Sequence, residues 1–413
     1  MNSSKSNSEH KLDTLLAGFF GEKEIDEFKK ITGTKKIQGK PQPLSLTSKI
    51  QRQTEIADSS ENGLSFRVNT LITFAKERLS REKFAELILS TAKYTMTCGD
   101  LDLSLELFDK IIKESKGRGS LVNLTAEGNL GLAEVFSKRA KWALGIRYIR
   151  KSKEIFRKNK NVHGETKCTN LLGTIYGETG DFKKARNYFK KSLALISWTN
   201  DHELIGMIEI NLGIISGIFR EWRDARLYFN NALKNFEKSS DHKRIALIYN
   251  NLGMLDYNSG KLNQALEEFD QSIEDCFKLN YLPVLGLSFL GKAITYLKMN
   301  NLNLAEAYSD KAMEICSKVD DKLSIADIYK VKGIIEMELR NYLKAENLLK
   351  TSLRMNVELG NKLNEAETSV ELGKLYNKLN DKSQSRKWLQ QGIEYYKWLG
   401  SKEKIKEIES LLA

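Results

Sequence analysis

The sequence predicts an all-α protein built as a linear array of stacked helical hairpins. Three observations point there. From Leu64 onward apolar residues fall at helical spacing almost without interruption. Only three prolines, Pro41, Pro43 and Pro283, occur in 413 residues, so little breaks long helices. A set of small residues also returns every forty positions. Gly173, Gly213, Gly253, Ala293, Gly333 and Gly373 share one position. Twelve residues on stand Ala185, Ala225, Ala265, Ala305, Ala345 and Ser385, and seven further Ser192, Ala232, Ser272, Ala312, Ser352 and Gly392.

Two helices of a hairpin approach closely only where side chains are small. The Gly of the first helix and the Ala of the second are expected to supply that contact, and the third small residue admits the next hairpin. Large residues such as Tyr176, Phe229, Tyr257 and Phe269 fill the space beside them. A unit of this kind cannot bury its apolar face alone, so stacking and terminal caps are required. An elongated array also suits a chain longer than the roughly 250–300 residues at which a single core stops growing.

Taken in order, residues 1–60 are rich in Ser, Asn, Lys and Thr. Leu12, Leu15, Leu16, Phe19 and Phe20 predict a short amphipathic helix there, either tethered for a partner or folded back on the array, and 34–60 reads as a linker without apolar period. Residues 61–81 hold an N-terminal capping helix, 82–400 eight hairpins, and 401–413 a C-terminal capping helix. Polar turns such as Thr199-Asn200-Asp201 and Ser239-Ser240-Asp241 close the units, with Asp placed as an N-cap.

The stretch NLLGTIYGETGDFKKARNYFKKSL at 170–193 carries a recognisable pattern. It resembles the tetratricopeptide repeat, and the resemblance runs over roughly 82–397. The period is forty rather than the usual thirty-four, as in the longer-helix subgroup that includes kinesin light chain and bacterial peptide-sensing regulators. The resemblance implies a right-handed superhelical solenoid with first helices on its concave side. It places Asn211, Asn251, Ile214, Met254, Ile294, Ile334, Tyr257, Asn258, Leu297 and Lys298 on that groove, with Asn170 and Asn250 one residue further back. Asn before Leu-Gly is what the longer-repeat peptide binders use to bond a peptide backbone, and an amide offers both donor and acceptor for it. The alternative is that these amides bond between helices and the Ile and Met residues fill a tight superhelix. A carboxylate clamp of the chaperone-binding kind does not fit, because Ile210 and Leu290 stand where polar residues are needed.

Charge gives a second lead. The chain carries +12 overall, and residues 138–160 hold ten Lys and Arg against one acid, Glu154. Arg147, Arg150, Lys151, Arg157 and Lys158 would form a basic outer ridge for an acidic second partner, or else a solvated face. Sequence-specific nucleic-acid reading has no recognisable module here. Phosphate loops, HExxH and G-x-S-x-G are absent, so neither catalysis nor a cofactor is expected. The recurrent Asp201-His202 and Asp241-His242 read as caps with exposed neighbours rather than metal ligands. Cys276 and Cys316 read as small packing residues. With no apolar run long enough to span a bilayer and no secretion signal, the expected location is cytoplasmic. The function expected is a non-catalytic adaptor binding a peptide segment or partner helix; the alternatives are a peptide-sensing regulator and a structural subunit of a larger complex.

Overall fold

The computed structural model describes residues 14–32, 63–117 and 119–412; the expected linker over 34–60 lies outside them. Two compact units divide the chain, Met1–Thr179 with Lys183–Ile196, and Gly180–Phe182 with Ser197–Ala413, here units 1 and 2. The described residues are helical and contain no strand. Helices α1 (Glu22–Thr32) and α2 (Gly63–Arg78) come first. Antiparallel pairs follow: α3 (Arg81–Thr97) with α4 (Leu101–Ser115), α5 (Val122–Lys138) with α6 (Trp142–Lys158), and α7 (Val162–Glu178) with α8 (Phe182–Ile196). Unit 2 holds α9 (His202–Ile218) with α10 (Trp222–Ser239), α11 (His242–Asn258) with α12 (Leu262–Lys278), and α13 (Leu282–Lys298) with α14 (Leu302–Lys318). It ends with α15 (Lys322–Glu338) and α16 (Tyr342–Leu359), α17 (Lys362–Lys378) and α18 (Lys382–Leu399), and a last helix, α19 (Lys402–Glu409). The fold is an all-α solenoid of stacked hairpins.

The turns explain the regular spacing. A left-handed residue recurs every twenty positions where one helix hands over to the next. Ala140, Lys160, Arg220, Ser240, Asn280, Asn300, Asp320, Arg340 and Asn380 adopt φ of 48–62°. Gly260, with φ of 84°, takes the same place between α11 and α12 at no steric cost. The next amide then bonds back into the finished helix, as Lys261 N to Asp256 O at 2.9 Å does. The following helix starts on a side-chain cap: Asp201, Asp241, Asp321 and Asp381 accept from the amides of Leu204, Arg244, Ser324 and Gln384 at 3.0–3.1 Å.

Packing within a hairpin differs from the expected Gly–Ala contact. A Cβ on Gly173, Gly213 or Gly253 would lie 2.5, 2.6 or 2.7 Å from the ring of Phe189, Phe229 or Phe269, four residues past the Ala. The Gly is a seat for a large side chain, and Leu349 and Leu389 fill the same seat over Gly333 and Gly373. Where Ala293 replaces the Gly, the facing register position carries a small residue, Ser309. The third small position stitches helices together by hydrogen bonds. Ser272 Oγ donates to Ala246 O on its own hairpin at 2.8 Å and meets Ser288 Oγ of the next at 2.8 Å.

In unit 1 the N-terminal amphipathic segment packs back. Leu16, Phe20 and Phe28 are buried against Val68, Leu71 and Phe74. Phe20 and Phe28 meet the Phe74 ring edge-on at 5.4 and 5.7 Å, and Glu27 pairs with Arg78 at 2.9 Å.

Candidate functional site

Within unit 2 consecutive first helices touch, α9 with α11, α11 with α13, α13 with α15 and α15 with α17; among the described residues the second helices make no comparable contact. The first helices therefore form the crowded inner face. Charges further along the row act on it. Burial raises the Tyr257 phenol pKa above its usual value; Glu367 and Glu371, on a helix three hairpins later, push it further, and Lys330 offsets part.

The face is graded along its length. On α9 and α11 it is apolar with amides: Ile214 and Ile218 are 42% and 46% exposed, and Asn211, Asn251 and Met254 are half-buried. None of the three apolar side chains occupies a seat that the hairpin frame fills. Asn251 makes no side-chain hydrogen bond among the described residues, whereas its neighbour Asn250 is buried and accepts from Ser288 Oγ at 3.2 Å. One residue along a helix is a turn of about 100°, which separates the amide on the surface from the one in the packing. Tyr257 is clasped by Lys298, whose Nζ donates to the Tyr257 carbonyl at 3.3 Å and lies 4.6 Å from its ring centre. Asn258 and Lys298 are exposed. Ile294, Leu297 and Ile334 are half-buried and pack against the cores below them.

Towards α15 and α17 the face becomes charged. Lys330 sits between Glu367 (2.6 Å) and Asp327 (3.3 Å), and Asn364 donates to Asp327 at 2.8 Å. Burial opposes the charge on Lys330, but the two carboxylates outweigh it and hold its pKa above the usual lysine value. Lys374 pairs with Glu371 at 2.7 Å and Lys378 with Glu338 at 2.9 Å. Here a cavity of about 420 Å³ opens among Ile334, Met337, Lys374, Asn377 and Leu411. An open apolar-and-amide half is thus joined to a half whose charges already satisfy one another.

Residues 124–196 match the tetratricopeptide repeat family. Over those residues the chain carries tetratricopeptide repeats. A comparison with curated sequences finds no match. Among solved structures, a Rap protein complexed with competence and sporulation factor shares 13% identity at a TM-score of 0.63, covering 91% of this chain and 97% of that one. The apo quorum sensor NprR from B. thuringiensis shares 15% identity at a TM-score of 0.57, covering 91% and 98%. The Rap conjugation gene regulator of plasmid pLS20, in complex with the Phr* peptide, shares 16% identity at 0.57, covering 80% and 98%. At these identities the likeness is one of fold.

The other sequence-selected residues of this tetratricopeptide-repeat array fall as follows. Asn170 belongs to unit 1 and is buried, 9% exposed. Arg147, Arg150, Lys151, Arg157 and Lys158 are all exposed on α6. His202 Nδ1 hydrogen-bonds Asn235 Oδ1 at 2.9 Å beside the Asp201 cap, and no metal-ligand cluster occurs among the described residues. Cys276 and Cys316 are buried near the ends of their second helices, and burial pushes both thiols up to about 11. Among the described residues no helix is long and apolar enough to cross a membrane.

Sequence reasoning missed two half-buried charge groups. One is Asp327–Lys330–Glu367. The other is Arg226, which bonds Asp256 and reaches Glu268 at 3.5 Å; Asp256 is only 2% exposed. Laying the repeats in register would have found the second. Asp256 and Glu268 hold the positions of Tyr176 and Tyr188, which stack at 5.3 Å, and of Tyr296 and Tyr308, which stack at 5.5 Å.

Proposed function

We propose that this protein is a non-catalytic scaffold that holds a peptide segment or partner helix along the first helices of unit 2. The observation that carries the reading is the α9–α11 surface. Ile214 and Ile218 spend apolar area on solvent at positions the repeat frame leaves free, and the unengaged Asn251 amide lies in the same row. Apolar side chains that anchor, beside an amide that bonds backbone, are the two elements an extended chain or short helix needs. Solved structures of similar fold include two complexes, with a competence and sporulation factor and with a Phr* peptide, and this supports a peptide as the ligand class. A peptide-sensing regulator is a finer version of the same reading, in which the ligand also changes the curvature of the face.

The test is a random peptide library selected on the immobilised full-length chain, with affinities of the selected peptides measured by calorimetry. Ile214→Glu and Asn251→Ala each weaken binding, the first by about tenfold or more because one buried isoleucine is worth about 1.5–3 kcal/mol, while the melting temperature holds. Selected peptides that bind both variants as well as the parent chain would overturn the proposal.

A further inference from the structure

We propose that the outer face of α6 and α8 in unit 1 is a docking surface for an acidic helical segment of a partner protein. Both helices turn basic residues outward: Arg147, Arg150, Lys151 and Arg157 on α6, and Lys190 and Lys191 on α8, are exposed. α7 ties the two helices into one surface. It contacts α6, and it holds α8 through the Gly173–Phe189 seat and a Ser192 Oγ bond to Thr166 O at 3.0 Å. Arg150 and Lys190 share a repeat position, as do Lys151 and Lys191, so the cations form two matching columns.

The same repeat positions in unit 2 show what a self-satisfied outer face looks like. Asp270 of α12 is answered by Lys292 of the next first helix at 2.5 Å, and Asp310 of α14 by Lys332. On α6 the next first helix answers Arg150 with a buried leucine, Leu172. Among the described residues Arg147, Arg150, Arg157 and Lys190 form no ion pair. Some of the cations are also positioned in advance: Lys151 lies 4.9 Å from the Tyr148 ring centre and Lys191 5.8 Å from that of Tyr188.

Three features favour a protein helix over nucleic acid. Arg147, Arg150 and Lys151 lie within about one turn of α6 and Arg157 seven residues past Arg150, a helical spacing that carboxylates on an acidic helix can match. Glu154, paired with Lys158 at 2.8 Å, interrupts the row of unpaired cations in the middle of the face. A continuous run of phosphates would have to lie over that carboxylate, whereas carboxylates set at intervals avoid it. The half-buried Tyr148 and Tyr188 rings are stacked on Phe136 and Tyr176 at 5.4 and 5.3 Å and covered by lysines, so they offer no platform to bases.

Fluorescence anisotropy on the full-length chain tests it, with three labelled probes: a helical peptide of Ala with Glu at every third and fourth position, its Gln counterpart, and a short DNA duplex. The Glu peptide should bind, weakening steeply with salt, and the Gln peptide should not. Arg147→Glu with Arg150→Glu and Lys151→Glu should lower affinity at least about tenfold, chiefly through the association rate. The milder Arg147→Gln, Arg150→Gln, Lys151→Gln set should fall between, and Lys311→Glu with Lys318→Glu on α14 should change nothing. Equal binding by the first triple variant, no binding of the Glu peptide at low salt, or tighter binding of the duplex at physiological salt would each overturn the proposal. Circular dichroism confirms that the variants, all at exposed positions, remain folded.

Discussion

The hairpins α7–α8 and α11–α12 are built on one frame and filled in opposite ways. Both seat a phenylalanine on a glycine, Phe189 on Gly173 and Phe269 on Gly253, and both bond a serine to the first helix, Ser192 to Thr166 and Ser272 to Ala246. Between those shared contacts the first stacks Tyr176 on Tyr188, while the second places Asp256 and Glu268 around Arg226 of the hairpin before. The frame positions fix the geometry and the positions between them are free to change chemistry. The contrast implies that stability is lost alike in both hairpins when the frame is broken, and unlike when the filling is.

The largest effect should come from the frame. Phe269 is fully buried and fills the seats of both Gly253 and Gly291. Phe269→Ala should cost about 3–5 kcal/mol, and Phe189→Ala a similar amount, read as the shift in urea midpoint at constant slope. A loss below about 1 kcal/mol in either would show that the seat is not what holds a hairpin shut.

The filling should respond differently. Arg226→Met removes the partner of a carboxylate that is 2% exposed and whose Oδ2 already lacks a hydrogen bond. With Arg226 itself partly exposed, the cost should be about 2–3 kcal/mol. Copying the other hairpin removes the need for it. Ile146, Tyr176 and Tyr188 occupy the equivalent positions, so the combined Arg226→Ile, Asp256→Tyr, Glu268→Tyr chain should melt no lower than the parent. If the triple variant is as unstable as Arg226→Met, the two fillings are not interchangeable and the frame is less independent than its geometry indicates.

The same division explains what the sequence made legible. Gly253, Ala265 and Ser272 recur because geometry demands them forty residues apart, and a period survives in one dimension. The Asp caps were legible for the same reason. What the glycine touches was not, because an interval of twelve to Ala and of sixteen to Phe both fit a hairpin until the helices are rotated into place. Asn250 and Asn251 were both candidates, with Asn250 one residue further back, and the phase of α11 puts the first in the packing and leaves the second at the surface. Lys330 was invisible for a longer-range reason: its partner Glu367 lies on the next first helix, and Tyr257, on α11, lies in their field as well. The fold of residues 14–32 onto Phe74 required knowing which apolar surface the array leaves uncovered.

The smallest effect concerns pH and separates the two fillings by sign. Burial raises the Glu268 carboxyl pKa, Asp256 adds to it, and Arg226 only partly offsets them. The folded chain therefore holds this proton more tightly than the unfolded chain does. The stability contributed by that carboxyl is full below the unfolded glutamate pKa of about 4.3, and it declines as pH rises through the folded value. Glu268→Gln removes the titration, so the variant should gain stability relative to the parent as pH goes from 4 to 7. Tyr188→Phe, at the same place in α8, involves no carboxyl and should shift the melting temperature equally at both pH values. A flat difference for Glu268→Gln, or one that falls with pH, would mean that Arg226 neutralises the site fully and that the carboxylate filling costs the hairpin no more than the aromatic one.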